Sequence, residues 1–312
     1  MEPLFYVTAL LCGYSYFIYP LVLRLLPRRQ ARQSGSGELP RISLIVTVHN
    51  EAARIRGKLD NTLSIDYPPE RLEVIVASDG SSDATEAIVD EYADRGIRLV
   101  RADARKGKEY AQLCAIREAQ GEILVFSDVA TQIPADGLRH IAAGFDDARV
   151  GAVSSEDRFI SQDGSVAGEG AYVKYEMWLR RLESDRAGLV GLSGSFFAAR
   201  SAVCADWDIA SPSDFNTALN CASHGLVAVS RPAVIGEYSD IKDPAQEYAR
   251  KVRTVIRGMT ALTRHPEALN PLRMGAFAFQ VWSHKIMRWG VPWFMLAFLV
   301  LTVLLLGQGR VY

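Results

Sequence analysis

The sequence predicts an α/β fold with a mostly parallel sheet, carried between apolar helices at both ends of the chain. Three observations lead there. Short apolar runs at Ile42–Val48, Leu72–Ala77, Ile97–Val100 and Ile123–Ser127 alternate with helix-like stretches beginning near Glu51, Asp83 and Lys108, the pattern of a parallel sheet covered by helices on both faces. Two of those runs close on an acid, Asp79 in LEVIVASDGSSDAT and Asp128 in EILVFSDVAT, which places carboxylates at the ligand-binding edge of an open sheet. Long uncharged segments stand near each terminus.

The first of these segments runs from Leu4 to Leu26, about the length needed to cross a hydrocarbon core, and only Arg24 interrupts it. It is too long for the core of a cleaved signal peptide and no small-x-small site follows it, so it reads as an anchor. The second, Trp289 to Leu306, is shorter, with Trp289 and Trp293 at its interface. Arg24, Arg28, Arg29 and Arg32 follow the first run, while Arg273, Lys285 and Arg288 precede the second and Arg310 alone follows it. The positive-inside rule then assigns everything between the runs to the cytosol.

The small, polar stretch Gln33–Leu39 separates the anchor from the first strand. The expected organisation is an anchor and its basic flank over 1–27, a linker over 28–40, an α/β domain over 41–243, amphipathic interfacial helices over 244–288 and a membrane helix over 289–307. Within the domain, Ser82-Asp83 is a candidate N-cap and Gly96 a candidate helix stop. Beyond Val150 the pattern loosens to α+β. A strand is expected at Val150–Ser154, an amphipathic stretch at Glu169–Glu183, a strand at Leu192–Ala198, a helix at Asp214–Ser223, and a strand pair at Val227–Val229 and Val234–Tyr238. Pro244–Arg264 and Leu272–Arg288 read as basic, aromatic helices suited to a headgroup layer.

Composition narrows the function. Among 312 residues the net charge is −1, which argues against nucleic acid as a partner. Cys12, Cys114, Cys204 and Cys221 form no C-x-x-C and read as reduced and inert. No phosphate-loop, dinucleotide, serine-hydrolase or zinc signature is present. Two strand-end acids with Lys106-Gly107-Lys108 on the loop between them form a set able to hold a nucleoside and a metal-bound diphosphate. Asp79 can accept hydrogen bonds from a base or ribose, Gly80 permits the tight turn, and His49-Asn50-Glu51 ends the neighbouring strand. Plainer roles remain open for the same residues: a helix cap for Asp79, a surface turn for His49, solvated lysines at 106 and 108.

Read together, ISLIVTVHNEAARI, VIVASDGSSDAT, RKGKEYAQ, GEILVFSDVATQIP, GLSGSFFAAR, PSDF and SHKIMRW closely resemble the family 2 glycosyltransferases of the GT-A fold. The likeness is to the membrane-attached branch that includes cellulose, hyaluronan and poly-N-acetylglucosamine synthases. The resemblance implies a Rossmann-like cytosolic domain at a bacterial inner membrane and an inverting transfer from a nucleoside diphosphate sugar, UDP-linked, to a glycan acceptor in exopolysaccharide or envelope synthesis. It implies Asp128 as the first acid of a D-x-D that holds Mg²⁺ or Mn²⁺, although Ala130 stands at the third position. Lys106 and Lys108 would share in offsetting phosphate charge. Asp214 matches the catalytic base, with an N-cap role for it or Ser213 as the plainer reading. Gly191, Ser193, Gly194 and Ser195 match the stretch lining the acceptor side, and of a Q-x-x-R-W motif only Arg253 carries over. His284, Lys285, Arg288 and Trp289 are expected to anchor an interfacial helix. Two spans cannot surround a pore. Transfer is therefore non-processive, or a homo-oligomer or further subunits complete a path. A polyprenyl-phosphate or lipid acceptor, and a catalytically silent nucleotide-sugar sensor or scaffold, stay open as alternatives.

Overall fold

The computed structural model describes residues 1–30, 37–160, 170–239 and 244–306. Arg32, part of the expected linker and Arg310 lie outside these. Seven strands form one mixed sheet: β1 (Ile42–Val48), β2 (Leu72–Ser78), β3 (Ile97–Arg101), β4 (Ile123–Asp128), β5 (Val150–Ile160), β6 (Phe196–Arg200) and β7 (Val227–Ser239), in the order β3-β2-β1-β4-β6-β5-β7. The first four are parallel. β6 runs antiparallel to both β4 and β5, and β7 pairs parallel with β5.

β1 and β4 are apolar almost without break because both of their faces are covered. Leu44 and Val46 pack with Ile55 and Leu59 of the helix Ile55–Leu63 on one side. Ile45 turns to the other, where Phe126 and the helix Lys108–Glu118, through Ala111 and Ala115, complete a second core. Phe126 is stacked between Phe197 and Trp207 at 4.9 Å each, which fixes the antiparallel junction of β4 with β6.

Some boundaries differ from expectation. β6 starts at Phe196 rather than Leu192, because the backbone of 192–195 is drawn out of the sheet: Leu192 N–H bonds to the Asp214 carbonyl and Ser193 N–H to Ser154 Oγ. The expected strand pair at 227–238 is one strand whose register with β5 shifts between Ser154 and Glu156, beside Pro232, which has no N–H to give the ladder. Gly96 does end a turn in the left-handed region, at φ +85°.

The helix Pro244–Arg264 forms as expected. The stretch from Leu272 to Arg288 is not one helix: Gly275, at φ +53°, separates the short turn Pro271–Met274 from a second helix. That helix starts at Ala276 and runs unbroken to Leu305 through a π turn at Trp282–Ile286, so no boundary falls at 288/289. At the other end Glu2–Leu25 is likewise continuous, with a π turn at Tyr14–Ile18. Both helices are long and apolar enough to cross a bilayer by length and composition. They lie together, with Phe5 and Phe298 rings 4.8 Å apart and Tyr14 Oη 3.0 Å from Ser283 Oγ.

A buried polar knot joins them to the sheet domain. Glu183, on the helix Ala171–Ser184, accepts hydrogen bonds from Tyr19 Oη and from His284 Nδ1, each at 2.6 Å. Arg186 Nε reaches the Leu23 carbonyl at 2.8 Å, and Arg288 pairs with Glu176 at 2.8 Å. A carboxylate so enclosed is tolerable only with its partners in place.

Two glycines provide a test of this packing. A Cβ on buried Gly121 would stand 2.4 Å from Ser43 N and 2.8 Å from Ile42 C, both backbone atoms. Gly121→Ala is expected to destabilise the fold by about 1–3 kcal/mol. Gly57, exposed within the helix Ile55–Leu63, has nothing in reach, and Gly57→Ala should stabilise by roughly 0.5–1 kcal/mol. Unfolding midpoints in detergent check both, and equal midpoints for the two variants would contradict the packing described.

Candidate active site

The register of the parallel strands assembles the first half of the site. β1 aligns Val48 with Ser78 and Thr47 with Asp128, so Asp79 and Asp128 stand at the same sheet edge on either side of β1. Gly80, at φ +63°, turns the chain sharply after β2. Asp79 is buried, and its Oδ1 accepts from the N–H groups of Lys106 and Gly107 at 3.0 Å, while Oδ2 also accepts from Gly107. In this arrangement the Asp79 carboxylate shapes the 106–108 loop. His49 Nδ1 lies 3.0 Å from the Asp79 carbonyl, and Asn50, itself at φ +55°, accepts from Ser82 N–H at 2.8 Å. Glu51 turns its carboxylate to Arg54, at 2.7 and 2.8 Å. Lys106 Nζ rests 4.3 Å from the centre of the Tyr110 ring.

Asp128 closes β4. Its N–H bonds to the Ser195 carbonyl at 2.9 Å, and its Oδ1 takes the Lys108 ammonium at 2.6 Å. Lys108 also donates to the Gly194 carbonyl at 2.8 Å. Behind the Asp128 turn, fully buried Lys58 donates to Ser127 Oγ at 2.7 Å and to the Thr131 carbonyl at 2.6 Å, clamping both ends. Burial pushes the Lys58 ammonium down to about 7, with the Asp128 charge opposing. Sequence reasoning misses this lysine, because nothing in its helix distinguishes it from a solvated one.

Among the described residues no three or more His, Cys, Asp or Glu side chains cluster as a metal site. Asp128 offers a single carboxylate, 39% exposed, with Ala130 beside it. That set fits a hard cation held through one carboxylate and otherwise by substrate phosphates and water. Asp128 is the residue that would hold Mg²⁺ or Mn²⁺.

The second half is a cavity of about 420 Å³ that Lys108 and Asp128 share with Gly194, Asp214, Arg253 and Lys285. Asp214 lies in the first turn of the helix Ser213–Ser223. Gly194 leaves it room, since a Cβ there would stand 3.4 Å from its Oδ2. Removal from water raises the Asp214 carboxyl above the ordinary range, and the Lys108 and Lys285 charges pull it back. A carboxylate in such a setting is a competent proton acceptor. Ser193 and Ser195 do not line this cavity: Ser193 Oγ donates to Asp157 at 2.6 Å, and Ser195 Oγ is engaged by Tyr238 Oη. The contribution of Ser195 is its carbonyl, which holds Asp128.

Arg253 is on the cavity as expected, and Arg257, a turn later, pairs with Glu109 at 2.7 Å. His284, Lys285 and Trp289 also line it, although their sequence reads as an interfacial anchor. Thr254 follows Arg253 where the family motif has Trp, and the indole of Trp289 reaches the cavity from another helix, close over Gly258. Nothing in the local sequence Trp282-Ser283-His284-Lys285 distinguishes a cavity wall from a headgroup anchor.

The profile of glycosyl transferase family 2 matches residues 43–203, more than half of the chain. Beta-monoglucosyldiacylglycerol synthase of Trichormus variabilis is 29% identical over 189 residues, 58% of this chain and 40% of the relative. Poly-beta-1,6-N-acetyl-D-glucosamine synthase of Staphylococcus epidermidis is 27% identical over 175 residues, 54% of this chain and 42% of the relative. The match thus spans about two fifths of the length of these relatives. Among solved structures, the mannosyltransferase PcManGT of Pyrobaculum calidifontis, in complex with GDP-Man and Mn²⁺, superposes with a TM-score of 0.77 over 99% of this chain and 88% of that one, at 22% identity. Sheet order, paired strand-end acids and profile agree, and the chain belongs to glycosyltransferase family 2, an enzyme family, on a GT-A fold.

Proposed function

We propose that this protein is a membrane-bound, inverting glycosyltransferase that moves a sugar from a nucleoside diphosphate sugar, UDP-linked, to a hydroxyl of a glycan or lipid-linked acceptor that reaches the site from the bilayer. The observation that carries this reading is the single cavity shared by Asp128, Lys108 and Asp214, closed on one side by residues of an apolar helix. Asp214 takes the proton of the acceptor hydroxyl as its oxygen bonds to the anomeric carbon, and the bond from that carbon to the diphosphate oxygen breaks. The nucleoside diphosphate leaves with the electron pair, and Lys108 offsets its charge. Asp128 would hold a divalent ion, which when bound would supply further charge stabilisation to the leaving diphosphate. Asp79, Gly80, Lys106 and the His49–Glu51 turn flank the expected place of the nucleoside.

Membrane attachment is supported by the exposed faces of the two apolar helices. Leu4, Leu10, Phe17 and Leu21 on one, and Trp293, Leu296, Leu299, Val300 and Val303 on the other, are exposed, more large apolar surface than a water-soluble helix pair presents. Tyr248, Val252, Ile256 and Met259 are exposed along the basic helix Pro244–Arg264, which suits a headgroup layer. With the catalytic domain cytosolic, an impermeant thiol reagent applied to intact cells should miss Asp94→Cys in a background lacking the native cysteines. Labelling there would reverse the topology.

Release of nucleoside diphosphate from a panel of UDP- and GDP-sugars with Mn²⁺ tests the activity itself; no release from any donor would favour a silent sensor. Asp128→Asn should reduce turnover by about 10²–10³-fold and abolish the Mn²⁺ dependence of UDP binding. Wild-type turnover indifferent to EDTA would count against the assigned metal role. Asp214→Asn should bind UDP within about twofold of the parent while transfer falls by roughly 10²–10⁴-fold, a split expected of a base. Loss of UDP binding in calorimetry would move Asp214 to the donor side.

A further inference from the structure

We propose that Lys285, brought into the cavity by the apolar helix, is a positioning residue whose ammonium fixes the charge and aim of the Asp214 carboxylate, so that the active site is complete only when that helix is docked. The inference rests on Asp214 being the base.

The placement is built by three features. Lys285 sits within the π turn at Trp282–Ile286, which adds a residue to one turn of the helix, and its side chain lines the cavity. Gly191 makes room for it, since a Cβ there would stand 3.4 Å from Nζ. On the other side Nζ lies 5.5 Å from the ring centre of Phe215, the neighbour of Asp214. Gly191 and Phe215 flank the hydrogen bond from Leu192 N–H to the Asp214 carbonyl, so the lysine is held against the segment that carries the base.

The surrounding charges leave Asp214 as its natural partner. Of the helix Lys108–Glu118, Lys108 is occupied by Asp128 and Glu109 by Arg257. Of the helix Ala171–Ser184, Glu183 is taken by Tyr19 and His284, Glu176 by Arg288, and Arg180 donates to Ser154 Oγ. Arg253 faces the cavity from the helix Pro244–Arg264. Lys285 makes no close ion pair among the described residues, and its charge acts on Glu183 and then on Asp214; both line the cavity, but Glu183 is already taken by two hydrogen-bond donors. Asp214 in turn feels Lys108 and Lys285 as its two cationic neighbours.

A carboxylate acting as base is lost as pH falls through its pKa, and removing a nearby cation raises that pKa. In Lys285→Met the acid limb of kcat/KM against pH should therefore move upward by about one unit, with UDP affinity within about twofold of the parent. Lys285→Arg should restore most of the limb. Gly191→Val crowds the ammonium from the opposite side and should shift the limb in the same direction, which keeps the test available if Lys285→Met does not fold. An acid limb unmoved in Lys285→Met and Gly191→Val with UDP binding intact would overturn the proposal, as would Lys285→Arg behaving like Lys285→Met. Asp214→Asn separates the two claims: wild-type turnover in that variant removes the base itself, whereas a dead Asp214→Asn beside an unshifted Lys285→Met removes only the role of Lys285.

Discussion

The ammonium of Lys108 is the point on which the site depends. It holds Asp128 at the end of β4 and the carbonyl of Gly194 in the turn before β6, and its charge acts on Asp214. One cation thus ties the strand-end acid of the parallel half-sheet to the turn that precedes β6. That turn exists because β6 reverses against β4, with Phe126, Phe197 and Trp207 stacked at the junction. Lys58 supports the same turn from beneath, through Ser127 and Thr131. With Ala130 in place of a second acid, Asp128 is the one carboxylate at the end of this turn, and it is already paired with the Lys108 ammonium.

The two long apolar helices contribute residues to this site. Glu183 gathers Tyr19 from the first and His284 from the second, and this buried knot sets the angle at which both leave the sheet domain. Its neighbour Lys285 then points at Asp214's side of the cavity, and Trp289 supplies an aromatic wall. The helix that carries His284 into this knot also carries Lys285 and Trp289 into the cavity wall. Buried polar groups of this kind specify a unique arrangement, because slippage would strand a carboxylate without partners.

Much of the sheet was legible in the sequence, for a physical reason. β1 and β4 are covered on both faces, so their apolar runs are uninterrupted and end where the acids begin. Asp79, Asp128 and Asp214 could be picked out because each sits at an element boundary. Lys285 and Trp289 could not: a lysine and a tryptophan at the head of an apolar helix have the same sequence signature whether they face headgroups or a cavity, and the π turn that decides between them has no local mark. The direction of the Ser193 and Ser195 hydroxyls depends on Asp157 and Tyr238, which arrive from distant strands. The break at Gly275 was hidden by an apolar pattern continuous across it.

In the proposed reaction, with Asp214 as the base and the diphosphate at Asp128 and Lys108, displacement occurs from the face opposite the leaving group. The stereochemistry of transfer therefore tests the account most directly. With an α-linked nucleoside diphosphate sugar as donor, nuclear magnetic resonance of the product formed by the membrane-reconstituted enzyme should show a β linkage from the first turnover. A product that keeps the α configuration would contradict the assignment of Asp214 and the single-displacement geometry built around it.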